Sequence, residues 1–199
     1  MASKTMKNVR LALYGLAAVA VLAQVYFAFI HPKLNPDAGS RLGEGDYTLQ
    51  ATDGSTFTHA SLKGAPTAVF FGFTHCPEVC PTTLGDIGAW QEDLGEVAAD
   101  LQVYFVTVDP ERDTLDLLDG YVGWLDGAAG VTGARAEIDK AIKAFRIYAA
   151  RVELEGDDYT MDHSAHILLF DDTGRFVEPI SYQEDYDLAL GKLRNLLAM

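Results

Sequence analysis

The chain has 199 residues, of which 49% are apolar, so it is long enough for one substantial domain and is not a disordered or low-complexity protein. Its formal net charge is −14 at pH 7. Residues 31–199 carry all 29 acidic residues and 12 of the 15 basic ones, a net charge of −17. Such an acidic surface repels phosphate backbones, which disfavours nucleic-acid binding. The charge is explained either by solubility alone or by a cationic docking face on a partner.

An uncharged, mostly apolar run occupies residues 11–30 and follows a basic segment, residues 1–10. Twenty helical residues span about 30 Å, the thickness of the apolar core of a bilayer. Because basic flanks stay on the cytoplasmic side, we expect a transmembrane anchor with a cytoplasmic N-terminus. A signal peptide cleaved before Gln24 is the alternative, although the apolar run continues past that point.

The predicted anchor exports the rest of the chain. Ten residues before the apolar run are too few for a mitochondrial transit peptide, so we expect a single-pass protein of a bacterial inner membrane. Residues 31–45 contain two prolines and several small residues, which predicts a short tether. Residues 46–199 then form the domain in the periplasm.

Within residues 46–199, short apolar runs alternate with stretches of helical periodicity, which indicates an α/β fold. A hairpin-type turn at Asp171–Gly174 precedes one more strand. This order is that of a thioredoxin-like domain with a central mixed sheet flanked by helices. The predicted strands are Thr67–Phe73, Val103–Val108, Ile167–Phe170 and Arg175–Ser181, and the helical patterns lie within residues 84–97, 118–125, 138–145 and 186–197.

The two cysteines, Cys76 and Cys80, directly follow the first predicted strand and open the first predicted helix. Four residues apart in a helical turn, their sulfurs lie on one side, and the N-terminus of a helix favours thiolates. A purely structural disulfide is the simple alternative in an exported protein, but closing so small a loop removes little chain entropy. The pair therefore offers two soft, ionisable ligands.

A third ligand would complete a metal site, and His163 stands shortly before the predicted strand Ile167–Phe170. If that strand lies beside the strand leading into Cys76, the imidazole faces the two sulfurs. Two thiolates and one imidazole suit Cu(I) and accept Cu(II) with an added ligand, whereas a structural zinc site normally has four protein ligands.

The other histidines are weaker candidates. His166 is an odd number of positions from His163, so in an extended strand it points to the opposite face. His75 adjoins the first cysteine but is expected to point away from it. His59, in a polar turn, and His31, at the edge of the membrane, are expected in solvent.

Three separated motifs stand in the chain in this order: GFTHCPEVCPTT, VDPERDT at Val108–Thr114 and YTMDHS at Tyr159–Ser164. Together they closely resemble the Sco/SenC (PrrC-like) family of membrane-anchored copper proteins that assist assembly of cytochrome c oxidase. The resemblance covers roughly residues 40–199 and extends to the anchor. The chain departs from the family pattern at Trp124–Gly130, where WLDGAAG replaces a segment that commonly contains Phe and Pro.

The resemblance implies a thioredoxin-like fold that holds copper, as Cu(I) or Cu(II), through Cys76, Cys80 and His163. It also places Asp109, of the D-P-x-R-D motif, behind the ligands as a second-sphere group. The residues themselves leave another interpretation open, in which Asp109 and Asp113 complement the dipole of the following helix. The implied partners are the copper-bearing subunit of cytochrome c oxidase and a periplasmic copper donor or thiol reductant.

Two functions remain open: a copper-binding assembly factor, and a thiol-disulfide oxidoreductase or redox sensor that uses Cys76 and Cys80 as a redox-active disulfide. A thioredoxin-type enzyme has C-x-x-C and a cis-proline facing it, whereas this chain has C-x-x-x-C and no proline between Pro110 and Pro179. The two roles are compatible, because thiolates that bind Cu(I) must be reduced. We expect a copper site that is open as a dithiol and closed as a disulfide. We assign no catalytic residue, and thiol-disulfide reduction by the cysteine pair is the one enzymatic activity that stays open.

Overall fold

A computed structural model describes residues 2–26, 41–156 and 158–199. By its internal contacts the chain divides into two compact units between Ser40 and Arg41. The first unit contains a long helix, and the second contains the sheets and the remaining helices described below.

The helix of the first unit is α1 (Ala2–Val25). Within the described residues, no helix combines the length and the apolar character that crossing a membrane requires. The last part of the predicted anchor, residues 27–30, lies outside the described residues. The same holds for residues 31–40, which include His31 and most of the predicted tether.

The second unit is built on a seven-stranded mixed sheet, to which a separate two-stranded hairpin is added. The sheet strands are β1 (Leu49–Ala51), β2 (Thr56–Phe57), β3 (Thr67–Gly72), β4 (Gln102–Thr107), β5 (Ala128–Thr132), β8 (Ile167–Phe170) and β9 (Phe176–Ile180), and the hairpin strands are β6 (Ala149–Glu153) and β7 (Tyr159–His163). The order across the sheet is β2-β1-β5-β4-β3-β8-β9, in which β3, β4 and β5 are parallel and the other pairs antiparallel.

The four predicted strands are confirmed, with bounds that differ by at most one residue at either end. All six residues of β3 are buried, because the strand lies in the middle of the sheet and is covered on both faces. β8 pairs with β3 in antiparallel register, with Phe70 opposite Ile167. The predicted neighbourhood of these two strands, on which the metal site depends, is therefore confirmed.

The helical patterns are confirmed as well. Two helices begin at the side-chain caps Thr114 and Asp185, each of which accepts a hydrogen bond from a backbone N–H of the first turn. The helices are α2 (Val79–Leu94), α3 (Leu115–Val122), α4 (Arg135–Ala144) and α5 (Tyr186–Leu197), and short 3₁₀ helices lie at His59–Leu62 and Gly95–Asp100.

Alternate residues of β3 face opposite layers of helix. A Cβ atom at Gly72 would contact the side chain of Cys80, which belongs to α2. The face of β3 to which Gly72 belongs is therefore covered by α2. Phe71 faces the other layer, where its ring centroid lies 5.1 Å from that of Phe145 at the end of α4. Helices thus flank a central mixed sheet, and the predicted α/β class is confirmed.

Strands β1, β2, β5, β6 and β7 have no counterpart in the sequence prediction. β1 and β2 contain only three and two residues, too few for a periodic signal. β5 contains two alanines and a glycine, which have low strand propensity, and it forms because β4 offers a parallel edge. The unusual segment Trp124–Gly130 ends in this strand.

Residues 41–45, the end of the predicted tether, belong to the second unit. Leu42 is buried, and the backbone N–H of Gly43 donates to the carbonyl of Ala144 at 3.0 Å. The hydroxyl of Tyr47 donates to the carbonyl of Gly43 at 2.8 Å. These contacts attach the start of the second unit to the end of α4.

Candidate metal centre

The cysteine turn connects β3 to α2. We predicted that both cysteines lie in the first helical turn, but Cys76 lies in the preceding turn and only Cys80 is helical. Cys76 comes directly before Pro77, whose ring disfavours a helical conformation of the preceding residue. The backbone N–H of Cys76 donates to the carbonyl of Phe73 at 3.2 Å, and that of Cys80 donates to Sγ of Cys76 at 3.3 Å.

Gly72, the last residue of β3, makes room for this turn. A Cβ atom at Gly72 would lie 2.7 Å from Sγ of Cys80 and 2.7 Å from the ring of Phe105. No side chain is compatible with these distances unless the neighbours move. The absence of a side chain at Gly72 therefore lets the second sulfur lie directly against the sheet.

The histidine comes from the β6–β7 hairpin, of which His163 is the last strand residue. Its Nε2 lies 3.6 Å from Sγ of Cys80. Its Nδ1 lies 2.9 Å from the carbonyl of Ser164, and because a carbonyl only accepts, Nδ1 carries the proton. In the neutral ring Nε2 then presents its lone pair to the sulfurs, the tautomer that metal-binding histidines normally adopt.

Two phenylalanines of β3 and the following turn hold the imidazole edge-on. The ring of Phe73 lies 5.7 Å from that of His163 at an interplanar angle of 89°, and Phe70 lies at 6.3 Å. The histidine is partly buried, whereas Cys76 is 9% exposed and Cys80 is fully buried. The ligand atoms of these three residues all lie within 4.8 Å of one another.

The two thiols are unpaired and electrostatically different. The hydrogen bond from the Cys80 side chain, the largest cause, lowers the pKa of Cys76 to about 4, and two backbone N–H groups act in the same direction. The pKa of Cys80 is raised, because its thiol donates this bond and is buried. The metal-free site therefore carries one thiolate and one thiol at neutral pH.

The remaining described histidines lie outside this cluster. The Nδ1 atom of His75 lies 3.1 Å from the hydroxyl of Thr74 and 4.0 Å from the carboxylate of Asp113, and its side chain is half exposed. His59 and His166 are partly buried, and neither belongs to the group of ligand atoms. The structure thus brings together the three residues that the sequence singled out as ligands.

Asp109 is fully buried, and its contacts are with Arg112 and Tyr159. The carboxylate of Asp113 instead accepts hydrogen bonds from the hydroxyls of Thr74 and Thr107. Neither aspartate caps the following helix, because Thr114 is its side-chain cap.

Sequence reasoning missed the role of Asp113 in the cysteine turn. The hydroxyl of Thr74 donates to its carboxylate at 2.6 Å, and the backbone N–H of Thr74 donates at 3.2 Å. Asp113 thereby ties the start of the turn to the segment after β4. The only signal in the sequence was its place in the D-P-x-R-D motif, which does not identify a partner 39 residues away.

The donor set defines the chemistry of the site. Two sulfurs and one imidazole nitrogen are soft to intermediate ligands, and three of them in one pocket fit Cu(I) better than a hard cation. A structural zinc site normally has four protein ligands, whereas the group found within the described residues has three. The arrangement can hold a soft metal ion and, through its two thiols, can also be oxidised.

Comparison with known proteins gives concordant matches. The SCO1/SenC family model matches residues 35–198. The mitochondrial SCO1 homolog 1 of Arabidopsis thaliana is 34% identical over 157 residues, which cover 78% of this chain and 47% of the relative. The chain therefore spans about half the length of this relative.

Solved structures show the same fold. Bradyrhizobium japonicum ScoI with copper bound is 40% identical, with a TM-score of 0.70, and the match covers 78% of this chain and 99% of that chain. BsSco, described as a member of the Sco family of cytochrome c oxidase assembly proteins with a disulfide switch, is 25% identical, with a TM-score of 0.60, and the match covers 80% of this chain and 95% of that chain. The family match over most of the length, together with the fold and the Cys-Cys-His cluster, shows that this chain belongs to the SCO1/SenC family.

Proposed function

We propose that this protein binds copper through Cys76, Cys80 and His163 and assists assembly of the copper centre of cytochrome c oxidase. The observation that carries the proposal is the convergence of the two sulfurs and the imidazole nitrogen within 4.8 Å. The copper-bound ScoI of Bradyrhizobium japonicum supports the choice of metal, and the description of BsSco supports the choice of pathway.

The residues around the ligands prepare the site without a metal. The N–H of Cys80 and the thiol of the same residue stabilise a thiolate on Cys76. The carbonyl of Ser164 fixes the tautomer of His163, so that Nε2 faces the sulfurs. Copper is the electron-accepting ion that these groups would bind, and the protein supplies a soft, largely buried set of donor atoms.

Copper binding and thiol oxidation compete for the same two sulfurs. The pair therefore works as a redox gate, in which the dithiol binds copper and the disulfide does not. The disulfide switch described for BsSco supports this part of the proposal. A metal-free thiol-disulfide exchanger is less well supported, because Nε2 of His163 lies 3.6 Å from Sγ of Cys80 and adds a third metal ligand to the thiol pair.

The test measures copper in the full-length protein purified anaerobically with copper present. We expect one copper per chain, with sulfur and nitrogen ligands in X-ray absorption. Cys76→Ser and Cys80→Ser should each abolish tight retention, and His163→Ala should weaken it while leaving a two-thiolate Cu(I) complex. His166→Ala is the matched control and should bind like the parent. An unchanged Cu(II) spectrum after His163→Ala contradicts the three-ligand site, and equal copper affinity of the oxidised and reduced forms contradicts the gate.

We further propose that residues 11–30 anchor the protein in a bacterial inner membrane, with residues 1–10 in the cytoplasm and the second unit in the periplasm. The uncharged run and the basic residues before it support this topology. Reporter fusions after residue 45 should be active only for a periplasmic reporter. The partners that follow are the copper-bearing oxidase subunit and a periplasmic copper donor or thiol reductant, and a strain that lacks the protein should assemble less oxidase.

A further inference from the structure

The hairpin that carries His163 is not a part of the main sheet. β6 and β7 pair with each other, and in the described residues they form a two-stranded sheet of their own. A two-stranded hairpin is marginally stable by itself. Side-chain contacts must therefore hold β7 against the rest of the unit, and the position of His163 depends on them.

Tyr159 makes the most extensive of these contacts. It is the first residue of β7 and lies four positions before His163, so both side chains project from the same face of the strand. Its hydroxyl donates to the buried carboxylate of Asp109 at 2.8 Å. Its ring lies between two guanidinium groups, with the central carbons of Arg112 and Arg151 each 3.7 Å from the ring centroid.

Arg112 connects this tyrosine to the fixed part of the fold. Its Nη1 donates to the carbonyl of Tyr159 at 2.9 Å, and its Nε pairs with the buried carboxylate of Asp109. Its guanidinium also lies 6.0 Å from the ring centroid of Phe73, the residue whose ring packs edge-on against His163. Arg112 and Asp109 belong to the segment after β4, so they connect the hairpin to the centre of the main sheet.

We propose that Tyr159, stacked between Arg112 and Arg151 and hydrogen-bonded to Asp109, is the positioning residue that presents His163 to Cys76 and Cys80. The inference rests on the proposed copper site and adds to it the group that holds the third ligand in place. Tyr159 acts through the hairpin and does not bind the metal. The motif VDPERDT and the motif YTMDHS then supply the two sides of one clamp.

Loss of the clamp should resemble loss of the imidazole. In Tyr159→Leu the hairpin keeps its strand pairing but loses the stack and the bond to Asp109. We expect Cu(I) binding to be roughly 10- to 100-fold weaker, the range typical when a group that orients a metal ligand is removed. We also expect the nitrogen coupling of the imidazole to disappear from the Cu(II) electron paramagnetic resonance spectrum.

The experiment uses the full-length protein with Cu(I) and Cu(II) as probes. Tyr186→Leu is the matched control. The hydroxyl of Tyr186 also donates to a carboxylate, that of Asp93 at 3.0 Å, and its ring also packs beside an aromatic ring, that of Trp90. Asp93 and Trp90 lie in the C-terminal half of α2, on the side away from the cysteines. Tyr186→Leu should keep the affinity and the nitrogen coupling of the parent. Tyr159→Phe keeps the stack and should restore most of the coupling that Tyr159→Leu loses.

A double-mutant cycle separates positioning from general destabilisation. If Tyr159 acts through His163, adding Tyr159→Leu to His163→Ala should not weaken Cu(I) binding further. Retained nitrogen coupling in Tyr159→Leu, or fully additive losses in the double variant, overturns the proposal. If Tyr159→Leu does not fold, the double variant Tyr159→Phe/Arg151→Met takes its place. Reduced nitrogen coupling in this variant supports the proposal, and unchanged coupling overturns it.

Failure of the clamp is distinguishable from failure of the copper site. If the parent shows imidazole coupling and loses copper in the cysteine variants, the copper site stands, and the Tyr159 variants alone decide the clamp. If the parent shows no imidazole coupling, the three-ligand site itself is wrong, and the clamp has no ligand to position.

Discussion

The two sources of ligands differ in how firmly the fold holds them. The cysteine turn follows β3, whose six residues are all buried in the centre of the main sheet, and it contacts the sheet directly at Gly72. The histidine comes from a separate hairpin in which all three of the last residues of β6 are exposed. The sulfur pair therefore lies in the core, whereas the imidazole lies on a hairpin outside the main sheet. The difference indicates that the thiols are preformed and that the third ligand is the adjustable part of the site.

The largest effect should be on the reactivity of Cys76 in the metal-free, reduced protein. Its pKa is lowered to about 4 from an ordinary value of 9.0, at which about one thiol in a thousand is ionised at pH 6. Cys76 should therefore react with iodoacetamide at pH 6, and the rate should fall only as the pH approaches 4. Because Cys80 is the main cause, Cys80→Ala should slow the reaction sharply and His163→Ala only slightly. A large slowing in His163→Ala would show that the hairpin, not the turn, prepares the thiolate.

The second-largest effect should be a loss of stability when the hydrogen bonds between the cysteine turn and the segment after β4 are weakened. Asp113→Asn weakens the charge-assisted hydrogen bonds from Thr74 and Thr107, and we expect the free energy of unfolding to fall by about 2 kcal/mol. Denaturation followed by tryptophan fluorescence measures this, since both tryptophans belong to the second unit. The exposed Asp119→Asn on α3 is the control and should change stability by less than about 0.5 kcal/mol.

A pair of glycine substitutions tests the close approach of Cys80 to the sheet. Gly72→Ala places a methyl group 2.7 Å from Sγ of Cys80, so we expect a loss of about 1–3 kcal/mol of stability and weaker copper binding. Gly85→Ala, in the exposed interior of α2 with no atom within 4 Å, should stabilise by about 0.5–1 kcal/mol. If Gly72→Ala is as stable as the parent and binds copper equally well, the cysteine turn can move away from the sheet, and close contact at Gly72 is not required.

The smallest change in the free energy of unfolding is expected for a substitution in the β6–β7 hairpin, compared with the same substitution in β3. Val69 in β3 is fully buried, and Val69→Thr introduces a hydroxyl into the core, at a cost of about 1–3 kcal/mol. Val152 in β6 is 42% exposed, so Val152→Thr should change stability by less than about 0.5 kcal/mol. Equal costs at the two positions would contradict the contrast between the two regions.

Much of this architecture could be predicted from the order of residues. The buried strands β3, β4 and β8 are continuous apolar runs, and α5 is a regular amphipathic pattern, because burial requires the same residue types wherever it occurs. The cysteines were recognisable for a similar reason, since their spacing and their place after a strand determine a local turn. The bounds of β8 were predicted to the residue.

Tertiary structure alone decided the rest. β5 is a strand because β4 provides the edge with which it pairs, and the residue pattern of 128–132 does not predict a strand. Asp109, Arg112 and Tyr159 form a clamp across 47 to 50 positions of sequence, and Asp113 reaches back 39 positions to Thr74. Local sequence determines local conformation, but a contact between distant side chains exists only once the sheet has brought their strands together.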